Sequence, residues 1–403
     1  MRKIINSAFV SLDGVTEDPS SWATFDPGSG DEAAEALQAL GGMIMGRGTY
    51  QCFADVMPQQ TGPYADAINA IRKRELLDAI NEGDQEAFRR LIEPYRQELE
   101  GHSYRMLGSL HDAEDAVQES LLRAWRALPR FGGPRRLRPW LYKIATNVCL
   151  DALGRSQRRL LPVDHGVPAT PDDDPGQPLT ELVWLEPYPD QELGPEYGYA
   201  SPEARYEQRE AVELAFVAAL QHLPATQRAV LVLRDVLGFS AREAAEILET
   251  TAASVNSALQ RARKAVDERL PARSQQATLR SLGDERVRKL VQSYVDAWER
   301  GDVDAIAAML AADATFAMPP YPRWWRGREV IAAFAAEPAH RYLPTRANGQ
   351  AANAAYRWNP DKGSYVAEAL EVLTFEGDQV KEMTAFMTPE LFPRFGLPNE
   401  LPH

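Results

Sequence analysis

SAREAAEILETTAASVNSALQRARKAVD, residues 240–267, is the stretch on which the reading of this chain turns. Ala244, Ala245, Ile247 and Leu248 fall on one side of a first helix, Thr250-Thr251 makes a short turn, and a second helix follows. That is helix-turn-helix spacing. On the second helix Val255, Leu259, Ala262 and Val266 recur at i, i+4, i+7 and i+11, the period of a buried stripe. The opposite face carries Ser257, Gln260 and Lys264, flanked by Asn256 and Arg261, with Ser254 one turn earlier. Base edges and phosphates require such groups: Asn and Gln pair bidentately with adenine, while Arg and Lys hold guanine or phosphate. The same spacing also describes an amphipathic helix with a solvated polar face, and spacing alone does not choose between the two.

The rest of the chain sets the context. Its 403 residues are too many for one hydrophobic core and predict roughly two to four domains. Two cysteines, Cys52 and Cys149, cannot build a disulfide framework, no run approaches the ~18 apolar residues of a bilayer span, and Met1–Asp13 lacks the core of a signal peptide. These features predict a cytoplasmic chain without a membrane partner. The net charge of −14 argues against nucleic acid, but the charge is segregated. Residues 121–160 hold ten basic side chains against Asp151 alone, whereas residues 161–210 hold twelve acids against Arg205 and Arg209.

Nine prolines between Leu161 and Pro202, within that acidic run, predict a disordered linker at 161–205. It separates two helical regions, 72–160 and 206–272. After a second joint at 273–283, residues 284–403 turn from helices to strand-like runs such as Tyr365–Phe375, with a turn at Glu376-Gly377-Asp378 and another run from Gln379 to Met387, and predict an α+β domain. Residues 1–71 read as a partial α/β segment: a strand at Lys3–Leu12, a helix at Asp31–Leu40 and a short strand at Gly42–Met45.

Leu223-Pro224-Ala225-Thr226-Gln227-Arg228, Leu231-Val232-Leu233-Arg234-Asp235 and Gly238-Phe239-Ser240 resemble region 4 of the extracytoplasmic-function (group 4) sigma-70 factors. The resemblance implies that the second helix enters the major groove at the −35 element, through Ser254, Asn256, Ser257, Gln260, Arg261 and Lys264, and that the domain touches the β flap of RNA polymerase. Many members carry Arg in this helix where this chain has Asn256, which implies a different −35 preference.

Upstream, Asp112-Ala113-Glu114-Asp115-Ala116-Val117-Gln118-Glu119 opens a helix with an apolar stripe at Val117, Leu121, Ala124, Trp125 and Leu128. Its other face presents Asp115, Glu119, Leu122 and Arg126, beside Gln118. Acids there are also simply favourable in a first helical turn. The stretch is similar to sigma region 2, which implies that Asp115, Gln118, Glu119 and Arg126 dock on the β′ clamp helices of core polymerase. The loop Phe131–Arg138 and the following Trp140-Leu141-Tyr142-Lys143-Ile144-Ala145-Thr146-Asn147 mix cations with aromatics, which suits phosphate neutralisation and base stacking. Trp140 and Tyr142 also fit as core residues of the following helix. The resemblance implies that Arg130, Phe131, Arg135, Arg136, Arg138, Trp140 and Asn147 read the −10 element and capture an unpaired base.

At the C-terminus, Val291–Arg300, Asp313–Pro320 and Trp324-Trp325-Arg326-Gly327-Arg328 resemble a SnoaL-like cone. Its interior candidates, Tyr294, Asp296, Trp298, Trp324, Tyr342 and Tyr356, fit equally as core, and no acid/base pair stands out. At the N-terminus, Phe9–Val15, Met45-Gly46-Arg47-Gly48-Thr49-Tyr50 and Thr61–Asp66 resemble the start of a riboflavin-reductase-type dihydrofolate-reductase-like domain.

The whole therefore reads as a multidomain protein: two all-α sigma domains (a region 2 helical bundle and a region 4 helix-turn-helix), a C-terminal α+β SnoaL-like cone and a partial α/β N-terminal segment. The expected function is promoter-specific transcription initiation by binding energy, with no catalytic residue, metal or cofactor. Core RNA polymerase and promoter DNA are the expected partners, and regulation by the C-terminal domain is expected in place of a separate anti-sigma factor. The competing reading is a small-molecule enzyme using the cone, or an NADPH-dependent reductase using the N-terminal segment.

Overall fold

The computed structural model describes residues 76, 77, 79, 80, 83–128, 131, 137–155, 157–170, 173–179, 183–192, 210–336 and 340–402. The expected reductase-like segment 1–71 lies outside them. The chain divides into two units, Met1–Glu93 with Leu128–Leu137, and Pro94–Ala127 with Arg138–His403. In the first, Asp84 caps helix α1 (Gln85–Leu107), its Oδ1 accepting from the amides of Glu86 at 2.8 Å and Ala87 at 3.0 Å.

In the second unit α1 is followed by α2 (Leu110–Ala127) and α3 (Leu137–Leu153). Gly108 joins α1 to α2 with φ +72°, and a Cβ there would sit 2.8 Å from the Leu185 side chain, so only glycine fits. The buried stripe of α2 is Leu110, Ala113, Ala116, Val117, Ser120 and Ala124, while Leu121 and Trp125 are half-buried. The expected stripe is thus rotated. Small residues let α2 approach its neighbours closely, and Ser120 sits inside because its hydroxyl donates to the Ala116 carbonyl at 2.6 Å.

Next come α4 (Leu214–Gln221), α5 (Ala225–Leu231), a wide turn at Val232–Val236, α6 (Ala241–Ile247) and α7 (Ala252–Asp267). Both helices of the pair start where the sequence supplies caps. Ser240 and Glu243 form a reciprocal capping box, and Thr251 accepts from the Ser254 amide at 3.1 Å. The expected joint at 273–283 is itself a helix, α8 (Gln275–Leu282), because Ser274 caps it and the buried Glu213 carboxylate accepts from the amides of Gln275 at 3.0 Å and Gln276 at 2.7 Å.

The C-terminal domain has helices α9 (Asp284–Arg300), α10 (Val303–Met309) and α11 (Arg328–Ala332) against one curved sheet. The strands are β1 (Leu310–Ala317), β2 (Trp324–Arg326), β3 (His340–Ala347), β4 (Gln350–Asn359), β5 (Ser364–Glu376), β6 (Gln379–Phe386) and β7 (Glu400–Leu401). Their order is β2-β1-β6-β5-β4-β3, with β7 beside β5 and only the β1–β6 pair parallel. Alternation divides the strands between two cores. Ala351, Ala355, Ala369 and Leu373 face α9 and the cone interior. Ala352, Ala354, Tyr356, Leu370 and Val372 face Tyr104, Leu110, Tyr188, Leu214 and Val217, so the outer sheet face and the helical regions share one core.

For the described linker residues, 161–170, 173–179 and 183–192, the expectation of a disordered acidic tether is corrected. Leu161, Trp184, Leu185 and Tyr188 are buried, and the acids between them have specific partners. Glu186 caps α2, accepting from Ser109 Oγ and the Leu110 amide, both at 2.9 Å. Asp190 accepts from the Gly349 amide at 2.7 Å and from Arg346 at 2.9 Å, and Glu192 pairs with Arg394 at 2.8 Å. Proline excludes regular hydrogen bonding but not packing, and Glu186, Asp190 and Glu192 each meet a helix N-terminus or an arginine.

Candidate nucleic-acid and polymerase interfaces

Helix α7 buries Val255, Ala258, Leu259, Ala262 and Val266 and leaves Ser254, Asn256, Ser257, Gln260, Arg261 and Lys264 exposed. The remaining cation, Arg263, pins the helix from below. Its Nε and Nη2 donate to the two Asp235 carboxylate oxygens at 2.7 and 2.6 Å, and Asp235 is buried. Such a bidentate pair fixes orientation as well as position. Among the described residues neither Arg261 nor Lys264 enters an ion pair.

On α2, Asp115, Gln118 and Arg126 are exposed, and Glu119 is half-buried and bonded to Arg123 at 2.7 Å. Leu122 stands between them with 52% of its surface in solvent.

The residues expected at −10 separate. Arg130, Arg135 and Arg136 lie outside the described residues, and Phe131 is half-buried. Trp140 and Asn147 join Arg123, Ala127, Lys143 and Ile144 around a cleft of about 270 Å³. Arg138 is engaged inside the protein: Nε donates to Glu98 at 3.1 Å, and the guanidinium lies 5.0 Å from the Tyr142 ring and 4.7 Å from that of Phe239. Tyr142 is fully buried, its hydroxyl also donating to Glu98 at 3.1 Å. Much of the basic stretch is likewise neutralised internally, since Arg123 also meets Asp151 and Arg159 meets Asp112. Sequence reasoning passed over Arg123 and Lys143 as cleft residues. Their one visible signal is helical spacing, with Lys143 on the same α3 face as Trp140 and Asn147.

Of the cone candidates, Tyr294 is buried in the interior core, with its hydroxyl donating to Met383 Sδ at 3.0 Å. Trp298 and Tyr342 pack against the same core. Trp324 and Tyr356 do not belong there: the indole of Trp324 donates to the Gly166 carbonyl, and Tyr356 lies on the outer sheet face, donating to the Pro398 carbonyl. Asp296 accepts from Gln292 at 2.7 Å on the half-buried side of α9. The interior acid that the sequence did not single out is Glu371, paired across β4–β5 with Asn353 and fully enclosed. Alternation along Ala369-x-Glu371-x-Leu373 was the available signal.

Burial pushes the Glu371 carboxyl up to about 7, against the opposing effect of Tyr294 and Asn353, and burial moves Glu213 the same way, to about 7. Both folded-state values lie above the ordinary carboxylate range. The native chain therefore holds extra protons, and the stability this brings, present at low pH, is lost as pH rises through about 7. Thermal unfolding is expected at progressively lower temperature from about pH 5 to pH 8, and Glu371→Gln should flatten that decline and melt above the parent at about pH 8. An unchanged pH slope in the variant would remove Glu371 from the account.

Comparison with known proteins matches three stretches of the chain. Residues 91–159 match the model of Sigma-70 region 2, residues 213–266 that of Sigma-70 region 4, and residues 291–383 that of the SnoaL-like domain. The ECF RNA polymerase sigma factor SigG of Mycobacterium tuberculosis is 43% identical over 319 residues, covering 77% of this chain and 83% of that one. Among solved structures, the M. tuberculosis extracytoplasmic function sigma factor SigJ is 23% identical with a TM-score of 0.49, over 75% of this chain and 97% of that one. The sigma factor RpoE of Bartonella quintana is 21% identical with a TM-score of 0.29, over 45% and 94%. That protein was solved in complex with the anti-sigma factor NepR. With regions 2 and 4 matched in order and a 43% identical relative aligned over most of both lengths, the chain belongs to the ECF RNA polymerase sigma factors of the sigma-70 family.

Proposed function

We propose that this sigma factor binds core RNA polymerase and directs promoter-specific initiation through three separate surfaces, under restraint from its own C-terminal domain. The stripe of Asp115, Gln118, Glu119, Leu122 and Arg126 docks on the β′ clamp helices, and region 4 touches the β flap. The α3 cleft with Trp140 and Asn147 takes a −10 base, and α7 reads −35. The observation that carries this reading is the division of α7, with Val255, Ala258, Leu259, Ala262 and Val266 buried and all six candidate readers exposed. A helix selected only for solubility has no need of amides and hydroxyls where lysine and glutamate serve.

Gln260→Ala and Arg261→Ala are each expected to lower −35-dependent initiation roughly 10- to 100-fold, the worth of about 1–3 kcal/mol per base contact, and to leave core binding intact. Asp115→Ala should weaken core binding itself. In vitro transcription run beside a core-binding assay separates the two, and parallel losses in both assays would undo the assignment.

Restraint by the C-terminal domain is supported by the β3–β4 turn. Asn348 there bonds Tyr104 of region 2, Tyr188 of the linker and Val212 at the edge of region 4. Gln350 beside it accepts from the Leu214 amide at 2.8 Å. Because the outer sheet face shares a core with Leu214 and Val217, deleting the domain exposes apolar surface, and a point substitution in this turn is the cleaner test.

A further inference from the structure

Helix α3 brings Trp140, Lys143, Ile144 and Asn147 to the cleft, and region 4 contacts two cations of this helix, Arg138 outside the cleft and Lys143 within it. Phe239, the residue before the α6 cap, lies under the Arg138 guanidinium and meets the Tyr142 ring edge-on at 5.1 Å. Glu249, in the turn between α6 and α7, places Oε1 2.8 Å from Lys143 Nζ, and Lys143 lines the cleft with Arg123, Trp140 and Asn147. Glu249 stands in left-handed backbone, φ 52°, a conformation that glycine adopts without penalty and glutamate does not. A glutamate at that position puts its carboxylate beside the cleft. The reading face of α7 points elsewhere and stays exposed.

We propose that the helix-turn-helix turn covers the −10 helix in cis, with the Glu249 carboxylate holding Lys143 where a phosphate of single-stranded DNA binds. This rests on the reading of the cleft as the −10 surface. A carboxylate and a backbone phosphate offer a lysine the same contact, a pair of anionic oxygens, so the two compete for one ammonium group. The duplex-reading face is open in this state, while one cation of the strand-reading cleft is already paired. Strand capture therefore requires the region 4 turn to leave α3, a step that binding to polymerase or to the −35 duplex can drive.

The test is anisotropy of a fluorescein-labelled oligothymidylate of about 20 nucleotides, longer than the site of a single groove, titrated with the full chain at low salt. Glu249→Gln is expected to tighten binding roughly two- to fivefold, the scale of one exposed ion pair, and Lys143→Gln to weaken it. In the Lys143→Gln background the further change Glu249→Gln should do nothing, because its effect runs through that lysine. Glu246→Gln, removing an exposed acid bonded to Arg242 on α6, serves as the charge control and should leave binding unchanged. Tightening by Glu246→Gln as well, or by Glu249→Gln in the Lys143→Gln background, would reduce the effect to net charge and overturn the cover. No tightening by Glu249→Gln while Lys143→Gln weakens binding would also overturn it and leave the cleft reading standing. No loss with either Lys143→Gln or Trp140→Ala would overturn the cleft reading itself.

Discussion

Asn348→Ala is expected to destabilise the full chain by about 3–5 kcal/mol in denaturant unfolding. The side chain is completely buried. Its Oδ1 accepts from the Tyr188 amide at 2.9 Å, and its Nδ2 donates to the Tyr104 hydroxyl and the Val212 carbonyl, both at 2.8 Å. Alanine removes all three bonds and leaves the Tyr188 amide and the Val212 carbonyl enclosed without a partner, at about 1–3 kcal/mol each. It must also adopt φ 55°, where a side chain without a polar end adds about 1 kcal/mol of strain. Asn348→Gly keeps the backbone conformation, so the difference between the two variants isolates the strain. Hydrogen exchange gives the local readout: the Tyr188 amide should lose protection in both variants. If the C-terminal domain restrains the DNA readers, Asn348→Ala at a temperature where it remains folded should also initiate more transcription than the parent. A variant as stable as the parent, with Tyr188 still protected, would show that the turn holds nothing.

The second large effect is expected at Arg228, which is buried and, among the described residues, has no carboxylate partner. Burial lowers its pKa to about 10, so it stays charged at neutral pH, held by oxygen atoms alone. One terminal nitrogen donates to the Met106 carbonyl in region 2 and to Gln221 Oε1, and the other to the carbonyls of Gln221 at 3.1 Å and Leu223 at 3.3 Å. The planar fork thus joins the end of α1 to the α4–α5 corner of region 4. Arg228→Ala creates a cavity and orphans these acceptors together, a loss of about 3–5 kcal/mol. Arg228→Met fills the volume and removes the buried charge, so it should lose only about 1–2 kcal/mol. Arg228→Lys supplies a point charge that cannot span the same acceptors and should fall between the two. Equal losses for alanine and methionine would mean that the hydrogen bonds, not the packing, dominate the site.

These two residues show what was legible. Arg228 stands in a motif that the sequence displays, Leu223 to Arg228, although its partners do not. Asn348 had no visible signal, because its role depends on groups 136 to 244 positions away along the chain. The linker erred for a related reason. Proline and charge report the loss of regular structure and say nothing of the arginines and helix ends that Glu186, Asp190 and Glu192 meet. Glu371 was passed over because a single acid in an apolar strand reads as a surface position until the opposite strand and α9 are in place.

The sequence by itself determined the helix-turn-helix, the exposed face of α7, the strand alternation of the C-terminal domain and the family. Each depends on period or contiguous motif, and so on neighbours within a few residues. Only the tertiary structure decided that the described part of the acidic linker is docked, that Arg138 and Lys143 are engaged by region 4, and that one sheet face holds both sigma regions. Hydrogen bonds, ion pairs and shared cores between distant segments are set by where the chain returns in space, and no local pattern encodes the identity of the partner.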